Sequence, residues 1–166
     1  MKLEDMQHTP EIIVMVGLPG SGKSTWRDKM LAQTSSEFIT ISSDDEIEAM
    51  AAADGTTYSD GFKKYLGKAT AITKQKFRDA VNNGKNILWD QTNLSVKKRR
   101  GILNQVPENY TKTAVVFEVT QAELDDRLEK RQKETGKHIP PQVIKDMAKR
   151  YAPPTKQEGF DKVLFI

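Results

Sequence analysis

A chain of 166 residues, 37% apolar and 30% charged, has the length of one domain with one core, residues 1–166, and the composition of a soluble, well-solvated globule. It contains no cysteine, which excludes disulfides, thiolate nucleophiles and cysteine-held zinc. The net charge of +3 is unevenly spread: residues 1–94 hold 11 Lys and Arg against 13 Asp and Glu (−2), residues 95–166 hold 15 against 10 (+5). No apolar run approaches the ~18 residues of a spanning helix, and Met1-Lys2-Leu3-Glu4-Asp5 lacks a secretory core, so no membrane partner and a cytoplasmic location are expected. His8 and His138 offer imidazole, and each reads as a surface residue.

In chain order, the first β-rich run, residues 12–16 (Ile-Ile-Val-Met-Val), leads directly into Gly17-Leu18-Pro19-Gly20-Ser21-Gly22-Lys23-Ser24. That is G-x-x-x-x-G-K-[ST] in the strand–loop–helix context a phosphate cradle requires. Glycines let backbone N–H groups converge on phosphate oxygens, the following helix presents its positive end, and Lys23 supplies a point charge for the β- and γ-phosphates. Ser24 is the expected Mg²⁺ ligand. A helix over 23–33 follows, then a strand over 38–41 and the polar cluster Ser42-Ser43-Asp44-Asp45 before a helix over 45–53. A long amphipathic helix over 63–82 ends at Gly84, and a strand over 86–89 leads to Asp90-Gln91-Thr92-Asn93. Ser95 caps a helix through Leu103, a strand spans 113–119, helices cover 121–133 and, opened by Pro140-Pro141, the stretch to Arg150, and the last strand covers 162–166.

Strands alternating with helices predict an α/β domain whose five-stranded parallel sheet is covered on both faces. In such sheets ligands gather at the carboxyl ends of the strands, where all three polar clusters fall. Each cluster alone could be a helix cap. Together, beside a phosphate cradle, they point to phosphoryl transfer. Asp44, first after the second strand, is placed to accept the proton of an acceptor hydroxyl, with Asp45 as the helix N-cap. Arg131, with Arg127 one turn earlier on the same face, can form a cationic lid over the equatorial phosphate oxygens, or pair with Asp125, Asp126 and Glu129 on a solvated helix. The basic second half, with Lys97-Lys98-Arg99-Arg100, suits a polyanion or equally a solvated helix surface. Met15, Trp26, Met30 and Trp89 read as core.

The ordered set of residues resembles the kinase domain of polynucleotide kinases, both the bacteriophage 5′-kinase type and the kinase half of eukaryotic polynucleotide kinase/phosphatases. The cradle continuing into Thr25-Trp26, the pair Asp44-Asp45, Asp90-Gln91-Thr92-Asn93-Leu94 with Lys98-Arg99-Arg100, and Glu123-Leu124 before Arg127 and Arg131 all look like family elements. His138-Ile139-Pro140, Ala152-Pro153-Pro154-Thr155 and Glu158-Gly159-Phe160 are similar to the eukaryotic members. The resemblance implies a P-loop kinase fold with strand order 2-3-1-4-5 and a helical lid. It implies ATP and Mg²⁺ held by Gly17, Gly20, Ser21, Gly22, Lys23, Ser24, Thr25, Arg127 and Arg131, with Lys23, Asp44 and Arg131 catalytic. It places the acceptor near Asp90, Thr92 and Asn93, and at Ile47, where phage enzymes carry an arginine.

The expected reaction is phosphorylation of the 5′-hydroxyl of DNA or RNA, in the host cytoplasm if the chain is phage-encoded; a homo-oligomer is left open. The alternatives are a kinase for a 5-hydroxymethyl group on a base within DNA, with Tyr58, Phe62 or Tyr65 stacking on the extruded base, a small-molecule kinase, and a non-catalytic nucleotide-binding module.

Overall fold

The computed structural model describes residues 9–166; His8 and residues 1–5 lie outside the described residues. Strand β1 (Glu11–Val16) is buried on both faces from its second residue on, which only a sheet covered on both sides accommodates. Its alternate side chains feed two cores. Ile12, Val14 and Val16 pack with Ile41, Ile87, Trp89 and Val116 beneath Phe77, Ala80 and Ile102. Ile13 and Met15 pack with Leu88, Val115 and Phe117 beneath Trp26, Met30 and Leu31. Edge contacts of Phe77 on Trp89 (4.8 Å) and Trp26 on Phe117 (5.7 Å) close the two cores; of the four expected core residues Met15 and Trp89 are buried, and Trp26 and Met30 are partly buried against the second core.

Parallel strands β2 (Phe38–Ile41), β3 (Asn86–Trp89), β1, β4 (Thr111–Val116) and β5 (Lys162–Phe165) lie in that spatial order, as the resemblance implied and as right-handed crossovers allow. Helix α1 (Lys23–Gln33) lies on one face, and α3 (Tyr58–Asn82) and α4 (Val96–Leu103) on the other. Helices α2 (Ser43–Ala53), α5 (Gln121–Thr135) and α6 (Pro141–Arg150) surround the carboxyl ends of the strands.

Element boundaries differ from expectation where caps decide them. Helix α3 starts at Tyr58 because Thr57 accepts the N–H of Asp60 (3.2 Å), an N-cap the periodicity over 63–82 does not show. Helix α2 starts at Ser43 with Ser42 as its cap, accepting from Asp45 N (3.2 Å), so Asp45 is not the N-cap. Helix α5 runs two residues further, to Thr135, and Gly136 at φ 71° caps it. Strand β4 ends at Val116 rather than 119, and a 3₁₀ turn over Lys156–Glu158 precedes β5.

Arg99 corrects the reading of the basic run. It is fully buried, while Lys97, Lys98 and Arg100 are exposed. Its guanidinium donates to both carboxylate oxygens of Glu158 (2.7 and 2.9 Å), to the carbonyls of Asn93 (2.9 Å) and Leu94 (2.8 Å), and to that of Ala152 (2.8 Å). Removing one partner of a buried pair leaves the other uncompensated, at a cost of ~3–5 kcal/mol. Arg99→Met should therefore lower Tm in calorimetry by roughly 6–20 °C for a chain of this size; a fall under about 3 °C would refute the role given to this network.

Candidate active site

The loop after β1 is built for close approach. Gly17 is buried, and a Cβ there would lie 2.6 Å from Ser21 Oγ and 3.0 Å from Phe117 O. Gly20 and Gly22 take φ 82° and 101°, the left-handed region that glycine enters freely. Gly22 caps α1 with no side-chain acceptor, so the first N–H groups of the helix, Lys23 to Thr25, point into the cleft without an intrahelical partner. Lys23 folds back, donating to Gly17 O (2.8 Å) and Gln91 O (3.4 Å). Burial lowers its ammonium to about 8, against the opposing pull of Asp90 and Asp44. Ser24 and Thr25 sit exposed on the first turn of α1 and face the same cleft.

The cleft has a volume of about 1590 Å³. It brings together Gly20, Ser21, Gly22, Lys23, Ser24, Thr25, Asp44, Asp90, Thr92, Arg127 and Arg131. Two expected acceptor residues stay out of it. Ile47 is fully buried because its position on α2 faces the core. Asn93 is buried at φ 48°, its amide donating to Met15 O (2.8 Å); it holds the end of β1 rather than an acceptor. Thr92 keeps its place, and its carbonyl accepts Gly17 N–H (3.0 Å), stitching the 90–93 loop to the cradle. Tyr58 and Phe62 line the cleft, whereas Tyr65 packs against Gly61.

The acidic clusters are bridged by a residue the sequence reading missed. Arg27 Nη1 donates to Asp45 (2.9 Å) and Asp90 (2.7 Å), and Nε to Asp28 (3.3 Å). Its spacing of four from Lys23 on one helix was the available signal. Asp90, 10% exposed, is thereby committed to Arg27. Burial raises the Asp45 carboxyl above its usual range even with Arg27 beside it. Asp44 is exposed in the first turn of α2 and accepts a 2.7 Å bond from the Tyr58 hydroxyl. Burial first, and then the Asp44 charge, push the Tyr58 phenol upward.

On the opposite wall α5 leans its arginines over the cradle. Arg127 Nη1 reaches Gly20 O (3.4 Å), and half-buried Arg131 makes no side-chain hydrogen bond or ion pair among the described residues. Neither is tied up by Asp125, Asp126 or Glu129. Lys137, also missed, is 6% exposed, pairs with Glu48 and lies over the Tyr58 ring at 4.3 Å. Seven basic and seven acidic side chains line the cleft.

Residues 12–154 match the family AAA_33, described as an AAA domain, and the chain belongs to this family of P-loop kinase domains. It is 25% identical over 153 residues to the L-seryl-tRNA(Sec) kinase of Methanococcus maripaludis, covering 90% of this chain and 56% of that protein. Its fold matches a chain of the Pnkp1/Rnl/Hen1 RNA repair complex at TM-score 0.68 and 24% identity, over 90% of this chain and 46% of that one. A gluconokinase from Sinorhizobium meliloti matches at TM-score 0.55 and 16% identity, over 96% and 83%. The chain thus spans about half the length of the tRNA kinase and of the RNA repair chain. Among the described residues no helix is long and apolar enough to cross a membrane.

Phosphate oxygens favour the charged form of Lys23, which burial alone disfavours. Above pH ~8 nucleotide binding must therefore draw a proton onto it. Calorimetry of ATP binding in two buffers of unequal ionisation enthalpy should show uptake of about 0.7 proton at pH 8.5 and about 0.1 at pH 7; buffer-independent heats at pH 8.5 would contradict it.

Proposed function

We propose that this protein transfers the γ-phosphoryl group of ATP to a hydroxyl of a nucleic acid, the 5′-hydroxyl end of RNA or DNA. The observation that carries the reading is a carboxylate, Asp44, held by Tyr58 in the same cleft as the cradle lysine Lys23. A module that only binds nucleotide has no use for a base there. Two features support an RNA-bearing substrate: the similarity to an L-seryl-tRNA(Sec) kinase, whose named acceptor is a seryl group carried on tRNA, and the fold shared with a chain of an RNA repair complex.

In this reading the N–H groups of the cradle and the Lys23 ammonium hold the β- and γ-phosphates. Asp44 takes the proton of the acceptor hydroxyl as its oxygen bonds to the γ-phosphorus. The bond from that phosphorus to the β–γ bridging oxygen breaks, and its electron pair leaves with ADP. Arg131 and Arg127 offset the charge on the equatorial oxygens. The donor set suits Mg²⁺, which keeps several waters and takes few protein ligands. Ser24 offers one hydroxyl, and no group of three acids or histidines among the described residues forms a closed metal cage. When bound, Mg²⁺ would neutralise charge shared between the β- and γ-phosphates.

The even balance of charge in the cleft favours one second reading, a small hydroxylated acceptor, because no net positive field draws a polyanion in. Transfer of label from γ-³²P-ATP to 5′-hydroxyl RNA and DNA oligonucleotides, to a 5′-blocked duplex carrying 5-hydroxymethyluracil, and to gluconate separates the cases. Label on the 5′-hydroxyl ends alone is expected; label only on the duplex or on gluconate would overturn the proposal. Asp44→Asn should lower kcat by at least about 10² with ATP affinity within about threefold, read by single-turnover transfer and equilibrium nucleotide binding.

A further inference from the structure

Tyr58 and the connector over residues 136–140 form a linkage that the reaction just described does not use. The Tyr58 hydroxyl donates to Asp44 Oδ1 at 2.7 Å. Its ring packs on Phe62 at 5.7 Å and carries the Lys137 ammonium at 4.3 Å on its face. Lys137 is enclosed and pairs with Glu48, one turn after Asp44 on α2. Ser59, next to Tyr58, donates to Gly136 O (3.1 Å) and accepts the N–H of His138 (3.0 Å). The connector that ends the arginine-bearing helix α5 is thus fastened to the start of α3, at the one residue that holds Asp44.

We propose that Tyr58 is a positioning residue for the phosphoryl-transfer base Asp44, and that Lys137 on its ring ties the placing of that base to the docking of helix α5 with Arg127 and Arg131. The proposal rests on the reading of Asp44 as the base. A phenol hydrogen bond fixes which way the carboxylate faces, while a cation on the ring face resists rotation of the phenol away from it. The other charged groups around Asp44 are Lys23 on α1, Asp90 after β3, Arg131 on α5, and Asp45 and Glu48 on its own helix. None of these carries a hydrogen bond to it among the described residues.

Tyr58→Phe keeps the ring and removes only the hydroxyl. With a 5′-hydroxyl RNA oligonucleotide it should lower kcat about tenfold and leave KM for ATP within twofold. In an Asp44→Asn background it should cost no more than a further twofold. Independently of any acceptor, protein labelled with 3-fluorotyrosine has a Tyr58 ¹⁹F resonance, assigned by Tyr58→Phe, that should shift on Asp44→Asn and on Lys137→Met and return toward the wild-type position with Lys137→Arg. A resonance indifferent to either change, or multiplying losses in the double variant, would overturn the linkage. An Asp44→Asn protein transferring at the wild-type rate would instead overturn the base assignment, and this proposal with it.

Discussion

The floor of the cleft depends on one buried guanidinium. Arg99 uses all of its donors at once, on a carboxylate and three backbone carbonyls that come from two distant stretches of chain, residues 93–94 and 152–158. A lysine could not do this, since the five donors lie in a fixed planar fork and an ammonium has three. Desolvating the charge is expensive, and only the full set of partners offsets it. The consequence reaches the reaction centre through two short steps. With its carbonyl fixed by Arg99, Asn93 aims its amide at Met15 O, and the neighbouring Thr92 carbonyl takes the Gly17 N–H. The cradle is therefore fixed from beneath by a loop that is itself fixed by Arg99.

Above that floor the problem is electrostatic. Two carboxylates, Asp45 and Asp90, converge at the ends of β2 and β3, close to where a polyphosphate must sit, and unpaired acids there would repel it. Arg27 resolves the conflict by donating to both through one nitrogen. The same bridge fastens α1, which presents the cradle, to the start of α2, which presents Asp44. Neutralisation and alignment are supplied by a single side chain, and this explains how acids and bases can be equally numerous in a cleft that holds phosphate.

The fold was legible because its signals are local and redundant. A strand with five buried apolar residues can only be central, and G-x-x-x-x-G-K-[ST] after it fixes where the first helix starts. Lys23, Asp44 and Thr92 follow the motif and the strand ends, and Arg127 and Arg131 follow the family spacing, and the structure lines one cleft with all five. What escaped was decided by partners far away in sequence. Arg99 reads as one of four basic residues in a row, and nothing local marks which of them turns inward to Glu158, 59 residues on. Lys137 reads as solvated, yet Tyr58 and Glu48 enclose it. Ile47 and Asn93 were assigned by position after a motif, where helix phase in one case and a positive φ in the other turn the side chains inward.

The cleft has two sides that are held by different means. The cradle, Lys23 and the 90–93 loop are bonded to one another and anchored in the sheet, through the Gly17–Thr92 backbone bond and the buried Asn93 and Arg99 side chains. Asp44 and the arginines of α5 belong to helices joined by side-chain contacts, namely Tyr58 to Asp44, Lys137 to Glu48 and Ser59 to the 136–138 backbone. Helix α2 is packed along α3 through the buried Ile47 and Ala51, whereas α5 is held mainly by these side-chain contacts, and an element with few fastenings opens at lower free energy than a sheet core. A kinase gains from that division. A phosphate site stabilises charge best when it is preorganised, and the backbone bonds of the cradle supply that, whereas Asp44 and the α5 arginines face it from separate helices. Tyr58 and the 136–138 backbone link the two helices, so the position of Asp44 and that of the arginine-bearing helix are set by the same few contacts.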